Sequence, residues 1–176
     1  EMIFSSAKKT VYRDGDTAIK EFCEGFPKAE VLNEALCNAR VETIEALIHR
    51  RSCRNYSDRP VEAEKLARII EAGQYAPSGM GRQPVTFVAV TDPATVERLS
   101  QLNAQVMGSN SDPFYGAKTV VVVLVDRSVP THLEDGSLAM GNLLNAAYAL
   151  GVDSCWIHRA HEVFDSPEGL ELLAKW

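Results

Sequence analysis

The sequence has no apolar segment long enough to cross a membrane and no excess of basic residues. Its longest apolar run extends only from Val120 to Val125, whereas a membrane span needs roughly 20 apolar residues. Lysine and arginine together number 18 against 24 aspartates and glutamates, which gives a net charge of −6. Nucleic-acid scaffolds normally carry a basic excess. We therefore expect neither a membrane nor a nucleic-acid partner, although a local basic pocket for a phosphate stays open.

Cysteine is also scarce, and the four cysteines form no Cys-x-x-Cys pair. This excludes the usual spacings of zinc ribbons and thioredoxin-like sites. The wide spacing is not typical of a disulfide framework, and no charged-then-apolar leader precedes residue 40, so we expect a cytoplasmic protein. We interpret Cys53 and Cys155 as small packing residues. His158 and His161 have no evident third ligand, so we predict no metal site.

The composition is that of a folded domain, because 45% of the 176 residues are hydrophobic and 24% are charged. This length supports one hydrophobic core and is cramped for two full-size domains. Strand and helix patterns alternate after residue 60. The predicted helices are 62–72, 93–105, 133–150 and 167–175, and the predicted strands are 84–90, 119–125 and 154–157. This alternation predicts an α/β or α+β sandwich, with the β-branched strand 119–125 buried on both faces.

A different pattern precedes residue 42. Asp14 and Gly15 are typical of a hairpin turn, with strands at 10–12 and 18–20. Pro27 then opens an amphipathic helical pattern. That helix either ends near residue 40 or continues to residue 48, and the sequence leaves both possibilities open.

A cluster of three arginines and one serine lies at the end of a helical pattern. Its members are Arg50, Arg51, Ser52 and Arg54. Guanidinium groups bind phosphate oxygens through paired hydrogen bonds, and the serine hydroxyl adds another donor. The cluster therefore fits an anion site. A solvated helix end, whose cations complement the helix dipole, explains the same residues equally well.

Two further segments have compositions that suit a flat ligand. Residues 76–84 combine proline, serine and two glycines, which let the backbone approach a ring whose polar edge Gln83 can bind. Residues 135–147 are rich in small residues and are followed by the short strand at 154–157. The backbone amides of this strand could form hydrogen bonds with a heteroaromatic ring. The alternatives are an ordinary helix-to-strand loop and a core or interface helix.

Taken in order, these segments resemble the nitroreductase family of FMN-dependent oxidoreductases. The resemblance extends from about residue 42 to the end of the chain, and it is carried by residues 50–56, 76–84, 113–117, 135–147 and 154–157. No single motif is diagnostic, but the order and spacing of the set are fairly specific. With this resemblance, the arginine cluster is better explained by phosphate binding than by a solvated helix end.

The resemblance implies an α+β sandwich with a central sheet flanked by helices, and a homodimer with FMN at the subunit interface. It also implies ping-pong transfer of hydride from NAD(P)H through FMN to an electron-poor acceptor such as a nitroaromatic or a quinone. The chemistry would take place on the flavin, so no catalytic side chain is expected. The implied cofactor-binding residues are Arg50, Arg51, Ser52 and Arg54 on the phosphate, ribityl chain and pyrimidine edge; Pro77, Ser78, Gly79, Met80 and Gln83 from the opposite subunit; and Trp156, Ile157 and His158 along the ring.

The chain departs from the family pattern in three places. Gly81 stands where many members carry asparagine. Members usually continue past Trp176 through another strand and a basic segment, so we expect a C-terminal truncation, with a non-catalytic flavin-binding or assembly module as the alternative function. Residues 1–41 lie outside the pattern, and we predict that they form a hairpin-plus-helix appendage to an FMN-binding domain at 42–176.

The appendage has a faint resemblance of its own, since residues 8–41 are similar to the opening strands of a bacterial kinase-like fold. Lys20 would correspond to the lysine that pairs with phosphate, and Glu34 to its partner on the helix. A kinase also needs a catalytic base and metal ligands. Because no glycine-rich loop, His-Arg-Asp or Asp-Phe-Gly motif follows, we predict an appendage without kinase activity.

Overall fold

The computed structural model describes the backbone of residues 2–6, 9–14 and 17–22, and backbone and side chains of residues 43–176. The chain divides into two compact units, residues 1–48 and residues 49–176. In the first unit, strands β1 (Met2–Ser6), β2 (Lys9–Asp14) and β3 (Thr17–Phe22) form an antiparallel sheet in chain order.

The pairing of β2 with β3, in which Tyr12 lies opposite Ile19, confirms the predicted hairpin strands. Strand β1 was not predicted from the sequence. Helix α1 is described over residues 43–49. The predicted turn residue Gly15 and the predicted helix from Pro27 lie outside the described residues, as does Glu34.

The second unit contains five α-helices, one short 3₁₀ helix (Gly79–Gly81) and two strands in the described part of the chain. Where one of these α-helices or strands was predicted, its predicted boundaries agree with the observed ones to within two residues. Asp92 accepts a hydrogen bond from the backbone N–H of Thr95 at 2.8 Å and so caps α3, which Gly108 ends in a left-handed conformation. The elements are α2 (Ala63–Gln74), β4 (Val85–Val90), α3 (Pro93–Met107), β5 (Val120–Val125), α4 (His132–Ala149), α5 (Ala160–Phe164) and α6 (Pro167–Leu173).

Strands β4 and β5 pair antiparallel, with Phe87 opposite Val123, and separate two hydrophobic clusters. Alternate side chains of a strand point to opposite faces. Accordingly, Val122 packs in a cluster built mainly from α3, α5 and α6, whereas Val121 and Val123 pack against α2 and α4. Helices therefore cover both faces of the sheet, which confirms the predicted α+β sandwich.

Three details of the sequence prediction need correction. The strand predicted at 154–157 is reduced to a single bridge at Ser154, because only one residue on each side pairs. Helix α5 was not predicted, since five residues are too few to establish a periodicity. In β5 both faces are packed, but only Val122 is fully buried, because within the described residues the strand has one neighbour, β4. No helix in the described part of the chain is long and apolar enough to span a bilayer.

Candidate functional site

The arginine segment, residues 50–56, lies against the chain that follows α4. Ser52 forms an isolated parallel bridge with Ser154, and the backbone N–H of Cys53 donates to the carbonyl of Ser154 at 3.0 Å. The bridge joins residues 102 positions apart (154 − 52). The first and third segments identified from the sequence are therefore neighbours in the folded chain.

The guanidinium of Arg50 has an unused hydrogen-bond donor. Its Nη1 atom is buried and has no hydrogen-bond partner among the residues that the structure describes. Leaving a buried donor of a charged group unsatisfied costs more than leaving a neutral one. Nη1 of Arg51 donates to the Arg50 carbonyl at 2.9 Å, so this backbone oxygen is occupied. An anion that accepted a hydrogen bond from Nη1 would remove the cost of the unpaired donor.

Tyr56 closes the arginine segment on itself. Its hydroxyl donates to the Cys53 carbonyl at 2.8 Å. Burial raises the pKa of the Tyr56 phenol above its usual value, and the nearby thiols of Cys155 and Cys53 raise it further, while Arg54 acts in the opposite direction. The phenol therefore stays protonated at physiological pH and keeps donating to the segment's backbone.

The loop at residues 76–83 is fixed to the start of α4 by one buried carboxylate. Asp135 is 3% exposed; it accepts the backbone N–H of Gly79 at 2.9 Å on one oxygen and the Thr131 hydroxyl at 2.8 Å on the other. Gly79 packs so closely on Thr131 that a Cβ at this position would collide with its side chain. Asp135 and Thr131 thus set the position of this loop.

Within the loop, the backbone folds through two left-handed residues that are not glycine. Met80 has φ 54° and Gln83 has φ 49°. The Gln83 N–H donates to the Ser78 hydroxyl oxygen at 2.9 Å, and its side-chain amide donates to the Ala76 carbonyl at 3.4 Å. Such conformations persist only where the surroundings hold them. The same loop presents Met80 with 82% of its surface exposed.

A cavity of about 180 Å³ lies behind this loop. It is lined by Pro77, Ser78 and Gln83 from the loop, by Phe87 from β4 and by the Asp135 carboxylate. The loop therefore lines a small cavity that also contains the Asp135 carboxylate, and it exposes the Met80 side chain.

The predicted ring-facing residues 156–158 have three different environments. Trp156 is 47% exposed, and Ile157 packs against the hydrophobic cluster of α3, α5 and α6. The carbonyl of His158 accepts from the side chain of Asn103, whose own oxygen accepts from Nε of Arg159 at 3.1 Å. Asn103 is buried and fixes the backbone where the segment turns into α5.

The turn at residues 112–117 is built around a single carboxylate. Asp112 accepts from the Ser100 hydroxyl at 2.6 Å and from the N–H groups of Phe114 and Gly116 at 2.8 and 2.6 Å. Burial by itself raises the pKa of Asp112, but these hydrogen bonds and the Lys118 charge together hold it below the usual value. The turn is therefore anchored by an ionised group.

Sequence reasoning missed Asp135, Asn103 and Tyr56 as anchors of the site. Asp135 was part of a matched segment, but its partner is a backbone N–H 56 residues away, which no local pattern reveals. Asn142, a polar residue within α4, donates to the Ala72 carbonyl near the end of α2. In the described part of the chain, no group of three histidine, cysteine or acidic side chains is arranged to hold a metal ion.

Comparison with known proteins decides the family. The model of the nitroreductase family matches residues 47–119. A nitroreductase with bound FMN from Bacteroides fragilis is 31% identical, with a TM-score of 0.70 over 76% of this chain and 79% of that one. A protein of Archaeoglobus fulgidus with the provisional name NADH dehydrogenase/NAD(P)H nitroreductase is 31% identical over 121 residues, which cover 66% of this chain and 67% of the relative.

The chain belongs to the nitroreductase family. An additional relative, the FMN reductase (NAD(P)H) of Bacillus subtilis, is 33% identical over 128 residues, 63% of this chain and 51% of its own length. The family resemblance read from the motifs is confirmed. The roles of the individual motif residues in this nitroreductase-family chain stay predictions.

Proposed function

We propose that this member of the nitroreductase family is an FMN-dependent oxidoreductase that takes hydride from NAD(P)H and reduces an electron-poor acceptor, such as a nitroaromatic or a quinone, in a ping-pong cycle. The observation that carries the proposal is the buried, unpartnered Nη1 of Arg50. The FMN bound to the Bacteroides fragilis nitroreductase and the name of the Bacillus subtilis FMN reductase support the choice of cofactor and of nicotinamide.

The arginine segment has the chemistry that a flavin phosphate requires. Arg50 offers a buried donor, and Arg51, Ser52 and Arg54 add exposed groups around it. Guanidinium donors match the oxygens of a phosphate in number and direction. We assign the phosphate to Arg50 and Arg51, and the ribityl chain and pyrimidine edge to Ser52 and Arg54.

The loop at 76–83 would supply the second wall of the site in a homodimer. In one chain, the hydrogen bond from the Gly79 N–H to Asp135 holds this loop on α4. The loop and the start of α4 expose apolar side chains, with Met80 at 82% and Leu133 at 68%. An exposed apolar face of this kind is typical of a protein interface. We therefore assign Pro77, Ser78, Gly79, Met80 and Gln83 to the flavin of the other subunit.

When bound, FMN supplies the redox chemistry by accepting hydride from the nicotinamide and returning electrons to the acceptor. The protein's own residues bind the flavin, orient it and shield it. Asp135 keeps the Gly79 region in place and Asn103 fixes the backbone at His158, and we assign the exposed side chain of Trp156 to one side of the flavin ring. We place these functions in residues 42–176 and regard residues 1–41 as an appendage.

A visible spectrum of the purified protein tests the proposal. We expect a yellow protein, or one that turns yellow with added FMN, whose flavin absorbance is lost when NADH or NADPH is added without oxygen. Addition of a quinone or nitroaromatic should then restore the absorbance. FMN binding without bleaching by either nicotinamide would instead favour a flavin-binding module, and no uptake of FMN would favour an assembly module.

Substitution of the key arginine tests the phosphate assignment. Arg50→Ala should weaken FMN binding about tenfold or more, because a charge-assisted hydrogen bond is lost. The matched control is Arg68→Ala, which removes an exposed arginine whose ion pair in the described part of the chain is with Glu71 of its own helix, at 3.2 Å. The control should bind FMN as tightly as the unmodified chain.

A further inference from the structure

Two cysteines far apart in the chain are brought side by side next to the arginine segment. Cys53 follows Ser52 and Cys155 follows Ser154, and these two serines are the bridged pair. In parallel pairing, the residues that follow a bridged pair lie opposite each other, and their side chains point to the same face. Neighbouring strands lie about 4.8 Å apart, within the Cα separation of about 4.4–6.8 Å that disulfides span.

The hydrogen bond of the bridge reaches the first cysteine, and a second observation places both thiols near one hydroxyl. The N–H of Cys53 donates to the Ser154 carbonyl at 3.0 Å, which fixes the register at the cysteine itself. Both thiols also lie within electrostatic reach of the Tyr56 hydroxyl. Because that hydroxyl is bonded to the Cys53 carbonyl, the three groups form one local cluster.

Neither thiol is held by a strong interaction with another part of the protein. The Cys53 thiol contacts the Asn55 carbonyl at 3.2 Å, and the Cys155 thiol contacts the Trp156 carbonyl at 3.8 Å. Both contacts are to backbone within two residues, and thiols are weak donors. Both cysteines are half-buried and free, so rotation of the thiols towards each other costs little and a small oxidant has access.

We propose that Cys53 and Cys155 are a redox-modification site at which hydrogen peroxide or a small hydroperoxide closes a reversible disulfide beside the arginine segment. The evidence for this site is the register of the two bridged segments, at Ser52 and at Ser154, and it does not depend on the proposed flavin chemistry. It also differs from the interpretation of these cysteines as packing residues, since it gives them a shared reaction.

The reaction is balanced with one peroxide. One thiolate attacks a peroxide oxygen, so the O–O bond breaks and a sulfenic acid and hydroxide form; the hydroxide takes a proton and becomes water. The second thiol then attacks the sulfenic sulfur, the S–S bond forms, the S–O bond breaks, and the hydroxyl leaves as water with the thiol proton. Two thiols lose two electrons and two protons, and one peroxide becomes two waters. A dithiol reductant reverses the bond by exchange.

The test uses the full chain with Cys23 and Cys37 replaced by serine, so that only the proposed pair can react. After one equivalent of hydrogen peroxide at about pH 8, where thiols ionise appreciably, the alkylatable thiols of the denatured protein should fall from two per chain to none. Dithiothreitol should restore both. Peptide mass spectrometry should find the two cysteine peptides linked within one chain. Thiols that stay free, or bonds that form only between chains, would overturn the proposal.

Single replacements and heat stability give a second readout. With Cys53→Ser or Cys155→Ser added, the linked peptide should vanish and the remaining thiol should be trapped as a sulfenic acid. The disulfide closes nearly the whole second unit into a loop, so oxidation of the Cys23→Ser/Cys37→Ser protein should raise its Tm by about 5 °C or more. A linked protein whose Tm falls would contradict the native register and overturn the proposal as well.

Discussion

The arginine segment and the loop at residues 76–83 differ in whether their polar groups have hydrogen-bond partners within the protein. Two N–H groups of the loop have acceptors within the protein: Asp135 accepts from Gly79, and Ser78 accepts from Gln83. The arginine segment forms a bridge at Ser52 and has, on Arg50, a buried donor for which the described residues supply no acceptor. The loop's polar groups therefore hold the loop in place, whereas the unused donor of Arg50 fits a ligand of opposite charge.

Removal of the carboxylate that fixes the loop should have the largest effect on stability. Asp135→Ala leaves the Gly79 N–H and the Thr131 hydroxyl without their acceptor, and we expect a loss of about 2–4 kcal/mol in the free energy of unfolding. Asp135→Asn should lose less, because one oxygen can still accept. Urea unfolding measures both variants.

The control is Asp58→Ala, since the Asp58 side chain is fully exposed and its ion pair among the described residues is with Lys118, at 3.2 Å. It should change stability by less than about 1 kcal/mol. If the Asp135 and Asp58 variants were equally stable, the loop would not depend on the buried carboxylate, and the contrast between the two regions would fail.

Close packing at Gly79 gives a second test of what holds the loop at residues 76–83, with a smaller expected effect. Gly79→Ala adds a methyl group against the Thr131 side chain and should cost about 1–3 kcal/mol in unfolding free energy. The matched control is Gly141→Ala on α4, where an added Cβ meets open space. Because alanine favours helix, this variant should gain up to about 1 kcal/mol. A tolerated alanine at 79 would show that the loop is free to move.

The turn at Asp112 predicts an effect of pH on stability. The folded pKa of Asp112 is lower than that of an unfolded aspartate, about 3.9. Its contribution is therefore complete above that value and is lost as the pH falls through the folded pKa. Asp112→Asn should cost about 1 kcal/mol or less near pH 7, because the group is largely exposed.

Urea unfolding of both proteins at about pH 7 and about pH 3 measures this dependence. The advantage of the unmodified chain over Asp112→Asn should be smaller at the lower pH, where protonation of Asp112 begins to remove its contribution. A constant difference between the two proteins at both pH values would mean that ionisation of Asp112 is not what anchors the turn.

Local patterns were sufficient for most of the fold of the second unit. The apolar stripes of α2 and α3 and the β-branched run of β5 gave their boundaries to within two residues, because these signals depend on neighbours in the sequence. The reduction of the predicted strand 154–157 to one bridge was not predictable. It depends on how many residues of the distant arginine segment pair with this strand.

The site was partly predictable for the same reason. The motifs identified the donors of the arginine segment and the loop, but not what holds them. Asp135, Asn103 and the bridge between Ser52 and Ser154 act across 50 or more residues. Such contacts follow from the folded chain and from no spacing within a motif.

Flavin affinity measured with and without the phosphate tests the central claim most directly. FMN and riboflavin differ in that phosphate, so fluorescence titration of both ligands against the unmodified chain, Arg50→Ala and Arg68→Ala isolates the interaction between the phosphate and Arg50. We predict that the unmodified chain and Arg68→Ala prefer FMN about tenfold or more, and that Arg50→Ala loses most of this preference while binding riboflavin nearly as before. An equal loss of affinity for both ligands, or an unchanged preference for FMN, would contradict the assignment of the phosphate to Arg50.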